Sequence, residues 1–92
     1  MKEDIFLLKY PKIDLHGYDR ESARVATNDF ITENIILKND TIIIIHGIGS
    51  GIVKSSVHDT LKQNKHVIEY KTDNFNPGCT IVRLKKEEVK NG

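Results

Sequence analysis

The stretch Thr41-Ile42-Ile43-Ile44-Ile45-His46, followed by Gly47-Ile48-Gly49-Ser50-Gly51, decides the fold. Its first five residues are β-branched throughout, stiff at χ1 and suited to a pleated surface. A continuous apolar run this short reads as a central strand buried on both faces, the pattern of parallel sheets. The glycine-rich segment after it reads as a tight turn. Beyond the turn, Val53, Val57 and Leu61 recur four apart and give a second element, a helix with one inward stripe that ends at Asn64-Lys65. A strand running through glycine into an amphipathic helix is half of a β–α–β unit.

The same grammar holds upstream. Lys12-Ile13-Asp14-Leu15-His16 alternates, with Ile13 and Leu15 on one face and Asp14 and His16 on the other, and Gly17 ends it. Asp19 is a good helix N-cap, followed by Glu21, Ser22 and Ala23. Ala23, Ala26 or Thr27, Phe30, Ile31 and Ile35 keep helical spacing to about Leu37, and Lys38-Asn39-Asp40 is the stop. Downstream, His66 to Thr72 is a third strand, Asp73 to Gly78 is a loop by composition, and Cys79 to Leu84 is a fourth strand. The order strand-helix-strand-helix-strand-strand predicts an α/β fold. Right-handed crossovers make the sheet mostly parallel, and a final hairpin adds one antiparallel strand, giving four mixed strands under a helical layer.

Ninety-two residues fit one domain. We divide them into an N-terminal arm at 1–11, a body at 12–86 and a tail at 87–92. The arm carries the apolar cluster Ile5-Phe6-Leu7-Leu8, which either packs back on the body or docks a second copy in a weak homo-oligomer. Apolar residues make up 38% and charged residues 29%, which excludes collagenous and wholly disordered classes. Fourteen basic and 13 acidic side chains leave a formal charge of +1, so any polyanion contact must be local rather than a bulk effect. Aromatics at 7%, with no Trp, argue against an extensive base-stacking surface. The lone Cys79 can form neither an internal disulfide nor a thiolate metal site. No apolar stretch approaches the ~20 residues of a membrane span, and the expectation is a cytoplasmic protein.

Two strands end alike, in Ile13-Asp14-Leu15-His16-Gly17 and Ile43-Ile44-Ile45-His46-Gly47, and each then turns into a helix. On adjacent parallel strands the two histidines would take equivalent final positions. Open α/β sheets bind ligands at that edge, where loops meet the positive ends of the following helices. Gly47, Gly49 and Gly51, with Ser50 among them, suit a nest of backbone N–H groups for a phosphate, and Lys54 adds a formal charge one helical turn on. Asp14 is placed to bond an imidazole nitrogen of His16 and fix its tautomer. Other nucleotide and hydrolase motifs fail: Val53 stands before Lys54 where a Walker loop needs glycine, Ile52 replaces the third glycine of a dinucleotide fingerprint, and no Gly-x-Ser-x-Gly elbow surrounds Ser50. His58 and His66 read as surface residues, and Cys79 as a small strand residue.

These residues resemble the Smr domain family, named for small MutS-related proteins. Its Leu-Asp-Leu-His-Gly motif is similar to Ile13-Asp14-Leu15-His16-Gly17, its Thr-Gly-Lys-Gly or His-Gly-Lys-Gly loop to His46-Gly47-Ile48-Gly49, and its closing strand to Gly78-Cys79-Thr80-Ile81-Val82-Arg83-Leu84. The loop's usual basic residue is Ile48 here. The resemblance implies a two-layer α/β sandwich like the carboxyl-terminal domain of bacterial translation initiation factor three. It also implies nucleic-acid binding, endonuclease activity on RNA or DNA in several members, and association of some with ribosomes. Asp14 and His16 map to the family's proposed catalytic pair, and Gly47 and Gly49 to its loop.

The expected mechanism is RNA cleavage in which His16, steadied by Asp14, removes the 2′-hydroxyl proton and His46 or a water protonates the leaving oxygen. The glycine turn and Lys54 would stabilise the phosphorane, and Arg83, Lys85 and Lys86 would add substrate contacts. No cofactor is required. A divalent metal would serve DNA hydrolysis, but one carboxylate at the site is a thin ligand set. The alternatives are a non-catalytic nucleic-acid or ribosome-binding module and a protein adaptor that uses Ile5 to Leu8.

Overall fold

The computed structural model describes residues 9–86. The elements follow the predicted order: β1 (Lys12–Asp14), α1 (Arg20–Ile36), β2 (Thr41–Ile45), α2 (Ile52–Gln63), β3 (Val67–Thr72) and β4 (Cys79–Leu84). The Ile5 to Leu8 cluster and the tail from 87 lie outside the described residues.

The sheet order is β1-β2-β4-β3. β1 and β2 run parallel, while β4 is antiparallel to both β2 and β3. The closing hairpin therefore inserts its last strand into the middle of the sheet, leaving β3 at an edge. β2 is buried on both sides as its sequence demands: Ile42 and Ile44 are fully buried with Leu15, Val82 and Leu84 in the main core, while Ile43 is buried with Cys79 on the opposite face. Tyr10, Ile45 and Ile81 pack against that second, smaller cluster.

Both helices cover the main-core face, giving two layers. Ala23, Thr27 and Ile31 of α1 are fully buried at spacings of four, and Val53, Val57 and Leu61 of α2 meet them. Asp19 caps α1 by accepting from Ser22 N–H at 2.7 Å, a cap typically worth ~1 kcal/mol. α1 stops where Lys38 turns left-handed at φ 64°. The buried Asn34 bonds Phe30 C=O through its Nδ2 and accepts from Asn39 Nδ2, both at 2.8 Å. The Ser56 hydroxyl donates to Arg20 C=O at 2.7 Å and joins α2 to the start of α1. That bond brings the loop before each helix to one end of the molecule.

Candidate functional site

The carboxyl ends of β1, β2 and β3 and the amino end of β4 share one rim. A cleft of about 690 Å³ opens there between residues 16–20, leading into α1, and residues 45–53, leading into α2.

On the β1 side, Asp14 Oδ1 accepts from both His16 N–H at 3.1 Å and His16 Nδ1 at 2.7 Å. These two bonds hold the Asp14 carboxyl below the usual carboxylate range, the imidazole bond contributing most. An ionised carboxylate can only accept, so Nδ1 carries the proton and Nε2 carries the lone pair. The His16 side chain is 72% exposed, and His16 is among the residues that line the cleft.

On the β2 side the arrangement differs from the expected one. Register pairs Asp14 with Ile45, hence Leu15 with His46 rather than His16 with His46. A one-residue offset moves a side chain to the other face of a sheet. His46 accordingly points under the helices, 4% exposed, while Asp14 and the ring it holds lie with Ile45 on the opposite side. The expectation of two imidazoles at equivalent strand positions is corrected, although both residues line the cleft. His46 Nδ1–H donates to Gly47 C=O at 3.0 Å, so its Nε2 must accept, from the Thr80 hydroxyl at 2.8 Å. With its one proton committed, Thr80 Oγ1 accepts from His58 Nε2–H at 2.8 Å. His58 is thus no surface residue: its ring stands edge-on to His46, with centroids 5.9 Å apart, and 5.0 Å from Tyr70. Burial pushes both imidazoles below their ordinary value, and the Lys54 charge pushes the same way. Both stay neutral, and neither ring nitrogen of His46 is left for a substrate.

The glycine turn owes its shape to two close approaches. Gly47 has φ +84°, and a Cβ there would lie 3.2 Å from His16 Cβ. At Gly78 a Cβ would lie 3.3 Å from the Gly47 carbonyl carbon. The Gly78 carbonyl accepts from His46 N–H at 2.8 Å and Gly47 N–H at 3.0 Å, so the Gly47 amide is structural rather than part of an anion nest. Gly51 caps α2 from a left-handed conformation and offers no side-chain cap. Among the described residues, the amides of Ile48, Gly49, Ser50, Gly51, Val53 and Lys54 donate to no protein acceptor. Unclaimed amides at the start of a helix, backed by its dipole, are groups suited to an anion.

Of the predicted basic partners, Lys54 lies beside His46 and His58. Arg83 and Lys85 lie elsewhere. Arg83 pairs with Thr41, at the far end of β2, and donates to Glu69 at 2.8 Å. Lys85 N–H bonds His66 C=O beyond it. At ~3.4 Å per strand residue, Arg83 and Lys85 stand about 14 and 20 Å from the rim and cannot share a phosphate with the glycine turn. The cleft's own cation is Arg20, which lines it and reaches Asp59 only at 3.8 Å. Sequence reading missed Arg20 because it lies between a cap and a helix with no motif to mark it. Cys79 is buried, and burial with the nearby charges of Asp73 and Asp14 pushes its thiol up, so it stays protonated. No group of three or more His, Cys, Asp or Glu side chains able to hold a metal occurs among the described residues.

A model of the Smr domain matches residues 13–85. The chain belongs to the Smr domain family. Endonuclease MutS2 of Clostridium acetobutylicum is 36% identical over 76 residues, covering 79% of this chain, and that of Clostridium novyi is 32% identical over 76 residues, again 79%. The chain spans only about 10% of the length of these relatives. In three dimensions this Smr domain is similar to the Smr domain of Thermus thermophilus MutS2, with TM-score 0.78 at 23% identity over 82% of this chain and 98% of that one. It is equally similar to YdaL, a stand-alone small MutS-related protein of Escherichia coli, with TM-score 0.78 at 24% identity over 92% and 79%. These likenesses bear on the mixed four-stranded fold. No helix of the described residues is long and apolar enough to cross a membrane.

Proposed function

We propose that this Smr domain binds nucleic acid in the rim cleft and cleaves an RNA phosphodiester there, with His16 as the base. The carrying observation is the Asp14–His16 pair at 2.7 Å, which leaves the exposed ring's Nε2 unengaged at the border of a cleft edged by unclaimed amides. His16 Nε2 takes the proton of a 2′-hydroxyl, and the 2′-oxygen attacks the adjacent phosphorus. The 5′-oxygen leaves with a proton from water, yielding a cyclic phosphate and a free 5′-hydroxyl. The amides at the start of α2, with Arg20, stabilise the extra negative charge of the phosphorane. His46 acts as a positioning residue: its bond to Gly47 C=O holds the turn.

With both His46 ring nitrogens engaged, His16 is the one imidazole free to act at the cleft, which also favours a second reading, a binding module without catalysis. Incubation of the domain with an RNA oligonucleotide in chelator decides between them. Under the catalytic reading, the wild type cleaves, His16→Ala loses about 10²–10⁴-fold, and a single 2′-deoxynucleotide blocks its own position. Binding without cleavage selects the module. Cleavage that persists on all-DNA substrate overturns the 2′-hydroxyl route, and cleavage that needs added Mg²⁺ replaces it with a metal-assisted one.

A further inference from the structure

Four large apolar side chains are left in water at this rim: Tyr18 after β1, Ile48 after β2, Ile52 at the start of α2, and Phe75 between β3 and β4, the last 86% exposed. Leaving a Phe ring in water forgoes roughly 1.5–3 kcal/mol of burial. The Phe75 loop is nonetheless tied down. Asp73 N–H donates to Cys79 C=O and Cys79 N–H to Asn76 C=O, both at 3.0 Å. Asn76 Oδ1 accepts from Gly78 N–H at 3.1 Å, and the buried Asp73 accepts from Phe75 N–H at 3.4 Å. The loop is also wedged against the glycine turn, where Gly78 meets the Gly47 backbone. Phe75 is three Cα steps from that contact, hence within about 11 Å of it.

The spacing of these groups says what they fit. Protein-docking surfaces present contiguous apolar area. Here Tyr18, Ile48 and Ile52 share the cleft with the glycine amides and Arg20, and Phe75 stands apart on the neighbouring loop that Gly78 wedges against Gly47. Such an alternation of flat apolar surface and anion donors matches an extended polynucleotide, whose bases and phosphates alternate. A duplex hides its base faces by stacking; an unpaired strand offers them.

Building on the nucleic-acid reading above, we infer that Phe75 is a stacking platform for an unpaired base beside the phosphate held at the glycine turn, so that the substrate is single-stranded. Phe75 sets specificity and takes no part in bond making.

Fluorescence anisotropy with a 12-nucleotide single-stranded RNA and its duplex tests this, using the wild type, Phe75→Ala and Phe75→Trp. Because Phe75 is exposed, both variants keep the wild-type melting temperature. Phe75→Ala weakens single-strand binding about tenfold, the scale of one base–aromatic stack, and leaves duplex binding unchanged. Phe75→Trp keeps wild-type affinity, and its indole, in a chain that has no other Trp, is quenched by the single strand alone. Normal binding by Phe75→Ala with an unquenched Phe75→Trp overturns the inference and spares the nucleic-acid reading. An equal loss on both RNAs overturns the single-strand assignment. If the wild type binds neither RNA, the nucleic-acid reading falls first.

Discussion

Thr80→Val is a severe test of the buried His46–Thr80–His58 chain. The substitution keeps the side-chain shape and the strand preference but removes the one hydroxyl that joins two imidazoles. His46 Nε2 loses its donor and His58 Nε2–H its acceptor. An orphaned buried polar group costs about 1–3 kcal/mol. His46 is 4% exposed and bears that cost in full, whereas His58 is half-buried and water relieves part of it. The expected loss is about 2–4 kcal/mol, a large part of the roughly 5–14 kcal/mol available to 92 residues. At about 4–8 °C per kcal/mol for a domain of this size, the melting point falls by roughly 8–32 °C. Urea unfolding at pH 7.5 reads the loss directly. The wild type carries a second signature in its pH dependence. Unfolded imidazoles take up protons as pH falls through 6.5, while folded His46 and His58, held lower by burial, do not. Acid therefore favours the unfolded chain. Stability is full above about pH 6.5, declines as pH falls towards the lowered folded values, and levels off there. The contribution of the Asp14 and Asp19 carboxyls, also lowered, is lost only below their ordinary 3.8. A Thr80→Val cost under ~0.5 kcal/mol, or a flat wild-type profile between pH 7.5 and 5, would refute the neutral hydrogen-bonded chain.

Three further outcomes are expected. Gly47→Ala combines left-handed strain with a Cβ 3.2 Å from His16 and costs about 1–3 kcal/mol; Gly49→Ala, with nothing within 4 Å, stays within ~0.5 kcal/mol in the same urea titration. Asp19→Ala removes the α1 cap and destabilises by about 1 kcal/mol in thermal unfolding. Arg20→Ala lowers RNA affinity and reduces the salt slope of binding by roughly one, whereas Arg83→Ala, at the far end of the sheet, leaves both unchanged in anisotropy titrations.

The fold was largely legible because each element carried its own period. The isoleucine run could only be a doubly buried strand, and the Val53, Val57, Leu61 stripe could only face a sheet. Register was not legible. The His-Gly echo invites alignment of His16 with His46, yet β1 is three residues long and nothing local to it encodes an offset. The actual pairing follows from Pro11 C=O accepting Ile43 N–H, which sets Lys12 opposite Ile43. The Asp14–His16 pair was readable because both partners lie two residues apart on one strand. The His58 contact was not, since it joins a helix to a strand 22 positions away. The misplacement of Arg83 and Lys85 has a related cause: charge counted along the chain says nothing about which end of β4 it reaches.

The position of β4 constrains how the domain comes into being. Because the last strand in the chain lies between the second and third, β2 and β3 have no mutual ladder to form while they wait for it. Thr80 and the Gly78 carbonyl, which anchor His46 and the glycine turn, arrive with that same strand. A nascent chain in which β4 has not yet emerged thus has an isoleucine strand with one edge bare, a ready partner for aggregation. Arrival of β4 both closes that edge and erects the cleft, so the cleft forms in one step with the closed sheet.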